Sequence, residues 1–131
     1  MDNKTISNWV RQARFRAKRH DIYSNLDIKD VMSMIEHSEH KCAYCKQNDA
    51  ETLDHPFPLK DSAPNTISNI VVSCMSCKGK KKNNDLIWCF NNGIIKEEIY
   101  LALLKELFDR KNGAEIKDHV KRVSGISDIQ E

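Results

Sequence analysis

Apolar residues recur at helical spacing within KTISNWVRQARFRAKRH (4–20), where Trp9, Val10, Ala13 and Ala17 fall near one face and basic residues surround them. This pattern predicts an N-terminal helix. After a short loop, IYSNL, Asp27 stands where an N-cap belongs for a second helix, IKDVMSMIEH, with Ile28, Val31, Met32 and Ile35 as its apolar stripe. The period then shortens. ETLDH is a strand-like piece broken by Pro56 and Pro58, PLKDSAPNTISN is a polar loop ending at Asn69, and the β-branched run IVVS predicts the second strand of a hairpin. A helix over MSCKGKKKNND follows, then a short apolar helix over 85–91 that contains Trp88. Residues 94–110 carry the clearest amphipathic pattern, with Ile95, Ile99, Leu103 and Leu107 at helical spacing. Asn112–Gly113 ends that helix, 114–123 predicts one more, and a frayed tail is expected from Ser124. Helices flanking a central hairpin place the chain in the α+β class.

Length and composition narrow the picture. The 131 residues fit one compact domain, with a basic helical lead-in (1–40), a cysteine-bearing core (41–92) and a C-terminal helical extension (93–131). No apolar run approaches the roughly 20 residues that cross a bilayer, and MDNKTISNWV lacks the apolar stretch of a secretory leader. A cytoplasmic protein without membrane partners is the expectation. A net charge of +2 excludes a generically basic binder.

The cysteines supply the first chemistry. Cys42 and Cys45 (CAYC) and Cys74 and Cys77 (CMSC) form two C-x-x-C pairs. In a reducing compartment disulfides are a poor explanation, whereas four soft thiolates are the ligand set of a closed tetrahedral Zn²⁺ site. The 28 residues between the pairs call for structure between the two knuckles. His40 reads as a solvated helix-end residue, and Cys89, in LIWCF, as a small buried hydrophobe. Between the knuckles stands Asp54–His55, one hard oxygen donor beside one base that titrates near neutrality. On a strand, adjacent side chains point to opposite sides.

Taken together, C-x-x-C, LDHPFPL, Asn69 opening the second strand, and C-x-x-C with a lysine-rich helix resemble the HNH endonucleases, whose core is a ββα-metal unit. The likeness covers residues 42–90 closely; the basic lead-in and Trp88 are similar to small phage and bacterial members and extend it to roughly 10–90. It implies a zinc-stapled core with two metals. Zn²⁺ on the four cysteines would be structural. Mg²⁺ or Mn²⁺ on Asp54 would stabilise charge on the phosphorane and the departing 3′ oxygen. His55 would be the general base, and Asn69 would brace the loop and orient His55 by hydrogen bonding.

One position departs from the pattern. The residue after the last cysteine, usually Asn or His and a second ligand of the catalytic metal, is here Lys78. A protonated amine has no lone pair to coordinate a cation. Lys82 lies one turn on, and Asn83 about 140° round the helix, so no neighbour takes over the role. Three outcomes stay open: Asp54 alone holds a weak Mg²⁺, Lys78 stabilises the phosphorane as a fixed charge, or the site is catalytically dead.

Charge is segregated along the chain. Residues 1–20 hold Lys4, Arg11, Arg14, Arg16, Lys18 and Arg19 against Asp2, and Lys78, Lys80, Lys81 and Lys82 follow the second knuckle. A phosphate backbone reaching the site would pass over the second cluster. Residues 21–61 hold nine acids against four bases, so only part of the surface is suited to DNA. Trp9 and Trp88 read as core residues. The expected function is metal-dependent hydrolysis of phosphodiester bonds in double-stranded DNA. The alternative is a catalytically impaired, zinc-stabilised DNA-binding or assembly protein on the same scaffold. A homodimer, or a subunit of a larger machine, would use the 94–110 helix as its face.

Overall fold

The computed structural model describes residues 1–125. The expected frayed tail falls on 126–131, outside the described residues, and Ser124 itself closes the last helix. Helix α1 (Asn3–Arg19) starts where the Asp2 carboxylate accepts from the Thr5 amide, satisfying a donor that the first turn leaves unpaired. It buries Ile6, Val10, Ala13 and Ala17, a single stripe at spacings of four, three and four. Trp9 sits beside that stripe and is only half-buried. Helix α2 (Ile28–His37) is capped by Asp27, which accepts from the Lys29 amide. It buries Val31, Met34 and Ile35, so Met34 takes the core position expected of Met32.

The expected hairpin forms. Strands β2 (Thr52–Asp54) and β4 (Val71–Ser73) run antiparallel, with Leu53 opposite Val72 and Asp54 opposite Val71. Facing pairs share a side of the sheet. Leu53 and Val72 accordingly join Ile6, Val10, Val31 and Ile35 in a core under α1 and α2. Val71 turns the other way, to a second core of Tyr44, Phe57, Cys74, Cys77, Leu103, Leu107 and Ile116. The hairpin thus separates an N-terminal helical layer from a cysteine-bearing and C-terminal one. The loop IYSNL is not wholly loop: β1 (Ser24–Asn25) pairs in parallel with β3 (Asn65–Thr66). Two-residue strands are too short to show any alternation.

Four helices complete the chain: α3 (Met75–Lys81), α4 (Leu86–Asn91), α5 (Glu97–Asp109) and α6 (Gly113–Ser124). In α4, Leu86 and Cys89 turn inward while Trp88 is 37% exposed, which corrects its expected place in the core. The apolar stripe of α5 is spent largely within the chain, on the buried Leu103 and Leu107. The turn after α5 grips the centre of the molecule. Arg110 donates to the carbonyls of Ile67 (3.0 Å) and Ile70 (2.6 Å), and Ser68 Oγ donates to Asn112 O at 2.7 Å. Gly113 is required there, since a Cβ would fall 1.9 Å from the Phe108 carbonyl oxygen. No helix among the described residues is long and apolar enough to cross a membrane.

Candidate active site and metal centre

The four Sγ atoms of Cys42, Cys45, Cys74 and Cys77 lie within 4.8 Å of one another. Thiolates bound tetrahedrally at about 2.3 Å would sit about 3.8 Å apart, so a small contraction completes a Zn²⁺ site. Amides already point at the sulfurs: Tyr44 N at Cys42, Asn48 N at Cys45 and Cys77 N at Cys74, each at 3.4 Å, with Asn48 Nδ2 on Cys74 at 3.5 Å. Burial raises the Cys42 and Cys77 thiols. At Cys74 burial is outweighed by the donors from Asn48 and Cys77, which bring its pKa down to about 6. Cys45 is lowered as well, the Asn48 and Gln47 amides overcoming its burial. The donor set suits zinc, which would clamp the segment before β2 to the start of α3. Cys89 is buried and uninvolved, and His40 is exposed, 3.8 Å from Glu36.

Asp54 and His55 do not diverge as neighbours on a strand would. The strand ends at Asp54, alternation stops there, and both side chains line one cavity of about 320 Å³. His55 is buried and stacked on Trp9, ring centroids 5.0 Å apart. Arg16 lies over the other part of this assembly, 6.0 Å from the Trp9 ring. His55 Nε2 is 2.9 Å from Asn65 Oδ1, and Asn65 Nδ2 in turn donates to Ser24 Oγ at 3.1 Å. A carbonyl oxygen only accepts, so Nε2 carries the proton and Nδ1 is the basic atom. Burial, with Arg16 and Lys81 adding to it against Asn65 and Asp54, lowers the His55 pKa to about 4. The ring is a neutral base at neutral pH.

Asn69, expected to hold His55 directly, does so at one remove. Its Oδ1 accepts from Phe57 N at 3.0 Å, and its Nδ2 donates to Phe57 O (2.8 Å) and Pro64 O (2.9 Å). It fastens both ends of the loop that leaves His55, while Asn65 makes the bond to the imidazole. Asn65 and its partner Ser24 sit paired in the small parallel sheet.

Asp54 is more heavily engaged than its expected role allows. Its Oδ2 accepts from Tyr44 Oη at 2.6 Å and pairs with Lys81 Nζ at 3.1 Å. Lys81 is 2% exposed and also donates to His55 O at 3.0 Å. Lys78 is half-buried, and its Nζ donates to Leu53 O at 2.9 Å; burial lowers its pKa, Arg16 and Lys81 adding to this and Asp54 opposing it. The lysine cluster expected to meet a phosphate backbone is therefore split, Lys80 and Lys82 being exposed and Lys78 and Lys81 turned inward. Among the described residues Asp54 is the sole carboxylate in a cavity lined by Arg16, Lys60, Lys78, Lys81 and Lys82. As arranged, these donors do not fit a hard divalent cation, which wants several oxygens and tolerates few positive neighbours.

The N-terminal basic residues divide likewise. Arg11, Lys18 and Arg19 are exposed, Arg14 is exposed too but donates to Leu26 O at 3.2 Å, and Arg16 turns to the cavity. Sequence reasoning missed Trp9, Tyr44, Asn65 and the inward turn of Lys81. The last was legible: Lys81 is four residues beyond Cys77, hence on the same helical face as that inward ligand.

No curated protein and no solved structure matches the chain. One family model does, described as HNH endonuclease, over residues 42–84, about a third of the chain. That match covers both knuckles, Asp54, His55, Asn69, Lys78 and Lys81, and points to nuclease-type chemistry on nucleic acid. Residues 42–84 thus match the HNH endonuclease family and carry a zinc-type cluster of four cysteines.

Proposed function

We propose that the protein hydrolyses phosphodiester bonds of double-stranded DNA, with His55 as general base. The observation that carries this reading is the state of the imidazole: neutral, clamped at Nε2 by Asn65, backed by Trp9, and part of the wall of a cation-lined cavity. Nδ1 is left as the basic atom of a ring that lines the cavity, where an attacking water would have to be held. A water held there loses its proton to Nδ1 as its oxygen forms the new bond to phosphorus; the bond to the 3′ oxygen breaks, and that oxygen takes a proton from solvent. Arg11, Lys18, Arg19, Lys80 and Lys82 are the exposed charges for flanking phosphates.

Mg²⁺ or Mn²⁺ on Asp54 belongs to this reading if the ion shares the carboxylate with Lys81, which holds Oδ2, or displaces it. The Asp54–Lys81 pair supports a second reading, a zinc-stabilised scaffold that binds DNA without cutting it. Supercoiled plasmid incubated with the protein, with Mg²⁺, with Mn²⁺ and with neither, separates the two. Nicking that His55→Ala abolishes is the expected result. Retention of the plasmid with no cut under any condition would overturn the hydrolytic reading in favour of the binder.

A further inference from the structure

Resting on that reading of the cavity, we infer that the ammonium groups of Lys78 and Lys81 take the place of the divalent cation, so that the site binds a phosphate oxyanion directly. Two lysines one helical turn apart reach the same strand end. Lys78 Nζ caps the carbonyl of Leu53, Lys81 Nζ caps that of His55, and Asp54 lies between them. Both positive charges are thereby fixed beside Asp54, Lys81 from the face of α3 that carries Cys77 inward and Lys78 from the next position round the helix.

A dication at Asp54 Oδ1 would share the carboxylate with Lys81, and one at Oδ2 would displace Lys81 altogether. Displacement would leave a 2%-exposed ammonium without its counter-charge, next to the new cation and to Lys78 and Arg16. Burial of an unpaired charge is strongly unfavourable. An anion meets the opposite situation: Arg16, Lys60, Lys78, Lys81 and Lys82 wall the cavity, and their charge exceeds what Asp54 neutralises. Tyr44, bonded to Asp54 Oδ2 at 2.6 Å, fixes the carboxylate from the side of the zinc knuckle and leaves it as the anchor of Lys81. In hydrolysis the two ammoniums would stabilise the additional negative charge of the phosphorane, a service otherwise given by a metal.

The test uses zinc-loaded full chain and two probes, inorganic phosphate and Mn²⁺, read by amide NMR. Phosphate should shift the signals of Asp54, His55 and Lys78–Lys82, while Mn²⁺ at millimolar concentration should leave them unbroadened. Lys78→Asn should weaken phosphate at least tenfold and admit Mn²⁺; Lys78→Met, which keeps the apolar stem, should weaken phosphate without admitting Mn²⁺. Because Lys81→Met strands Asp54, the Lys78 variants carry the test, with a folded spectrum as control. Paramagnetic broadening around Asp54 in the unaltered protein, or phosphate binding indifferent to both Lys78 variants, overturns the inference. Plasmid cutting that needs Mn²⁺ together with such broadening sinks this inference and leaves the nuclease reading intact. Phosphate binding without Mn²⁺ broadening, and without any cutting, does the reverse.

Discussion

Replacing Asn69 by alanine isolates the element on which the site geometry depends. The side chain is fully buried and makes three hydrogen bonds to the main chain: from Phe57 N, to Phe57 O and to Pro64 O. Alanine leaves one amide and two carbonyls without this partner in the interior. Each lost bond costs about 1 kcal/mol net, and more where the abandoned group stays dry, so the sum is about 3–5 kcal/mol. For a domain of this size that corresponds to a fall in melting temperature of roughly 10–20 °C. Guanidinium titration of the zinc-loaded protein measures it, with an unchanged m-value showing that the denatured state is unaltered. Asn69→Asp adds a signature that bulk destabilisation lacks. Its carboxylate still accepts from Phe57 N but now opposes two carbonyl oxygens, so protonation is favoured in the native state. Its folded pKa then exceeds the unfolded value, so the stability of Asn69→Asp relative to the unaltered protein should be greatest below about pH 4 and fall as pH rises above it. A loss under about 1 kcal/mol in the alanine variant, with cutting intact, would refute the claim that this side chain holds the loop.

Chelation of the metal centre should yield a single zinc per chain and collapse far-UV helicity and sheet order together, because the knuckles tie the hairpin to α3; Cys74→Ser should behave like the chelated protein. Native structure that survives zinc loss would contradict the staple. His55, held near pKa 4 against an ordinary 6.5, makes the unfolded chain the better proton binder between those values. Stability is then full above about pH 6.5 and lost as pH falls toward 4, by roughly 3 kcal/mol, and His55→Gln should remove that part of the slope. By the same shift, the acid limb of cutting should lie nearer pH 4 than pH 6.5, and a midpoint at 6.5 would show the ring to be solvated. Gly113→Ala places a methyl 1.9 Å from the Phe108 carbonyl oxygen. It should cost about 1–3 kcal/mol by forcing α5 and α6 apart, read as a lowered melting temperature, and a neutral result would mean that the turn yields freely.

What the sequence disclosed and what it concealed follow one physical line. Periodic burial announces itself, so α1, α2 and the β2–β4 hairpin fall where spacing puts them, Asp27 caps its helix, and the paired knuckles converge. Elements of two residues have no period, so β1 and β3 were invisible, and with them the Ser24–Asn65–His55 chain of hydrogen bonds. The amphipathic run at 94–110 was read as a longer helix than forms. Asn92 and Gly93 end α4, Ile95 packs in the connection, and α5 begins only at Glu97.

The harder lesson is at the lysines. The four lysines are expected from sequence to form one positive patch for a phosphate backbone, yet a helix gives such a run no single face. Successive residues turn by about 100°, so four lysines within five positions must point in several directions. The position of Cys77 decides which of them turns inward. With Cys77 committed to the metal centre, Lys81, one turn later, has no route to solvent, and its burial is tolerable only against a carboxylate. Asp54, at the end of β2, meets that need at 3.1 Å. The same carboxylate then serves a dication only by sharing or abandoning its lysine, so the placement of a structural cysteine constrains the electrostatics of the neighbouring cavity. Zinc ligation and the cationic character of the site are two consequences of one helical phase.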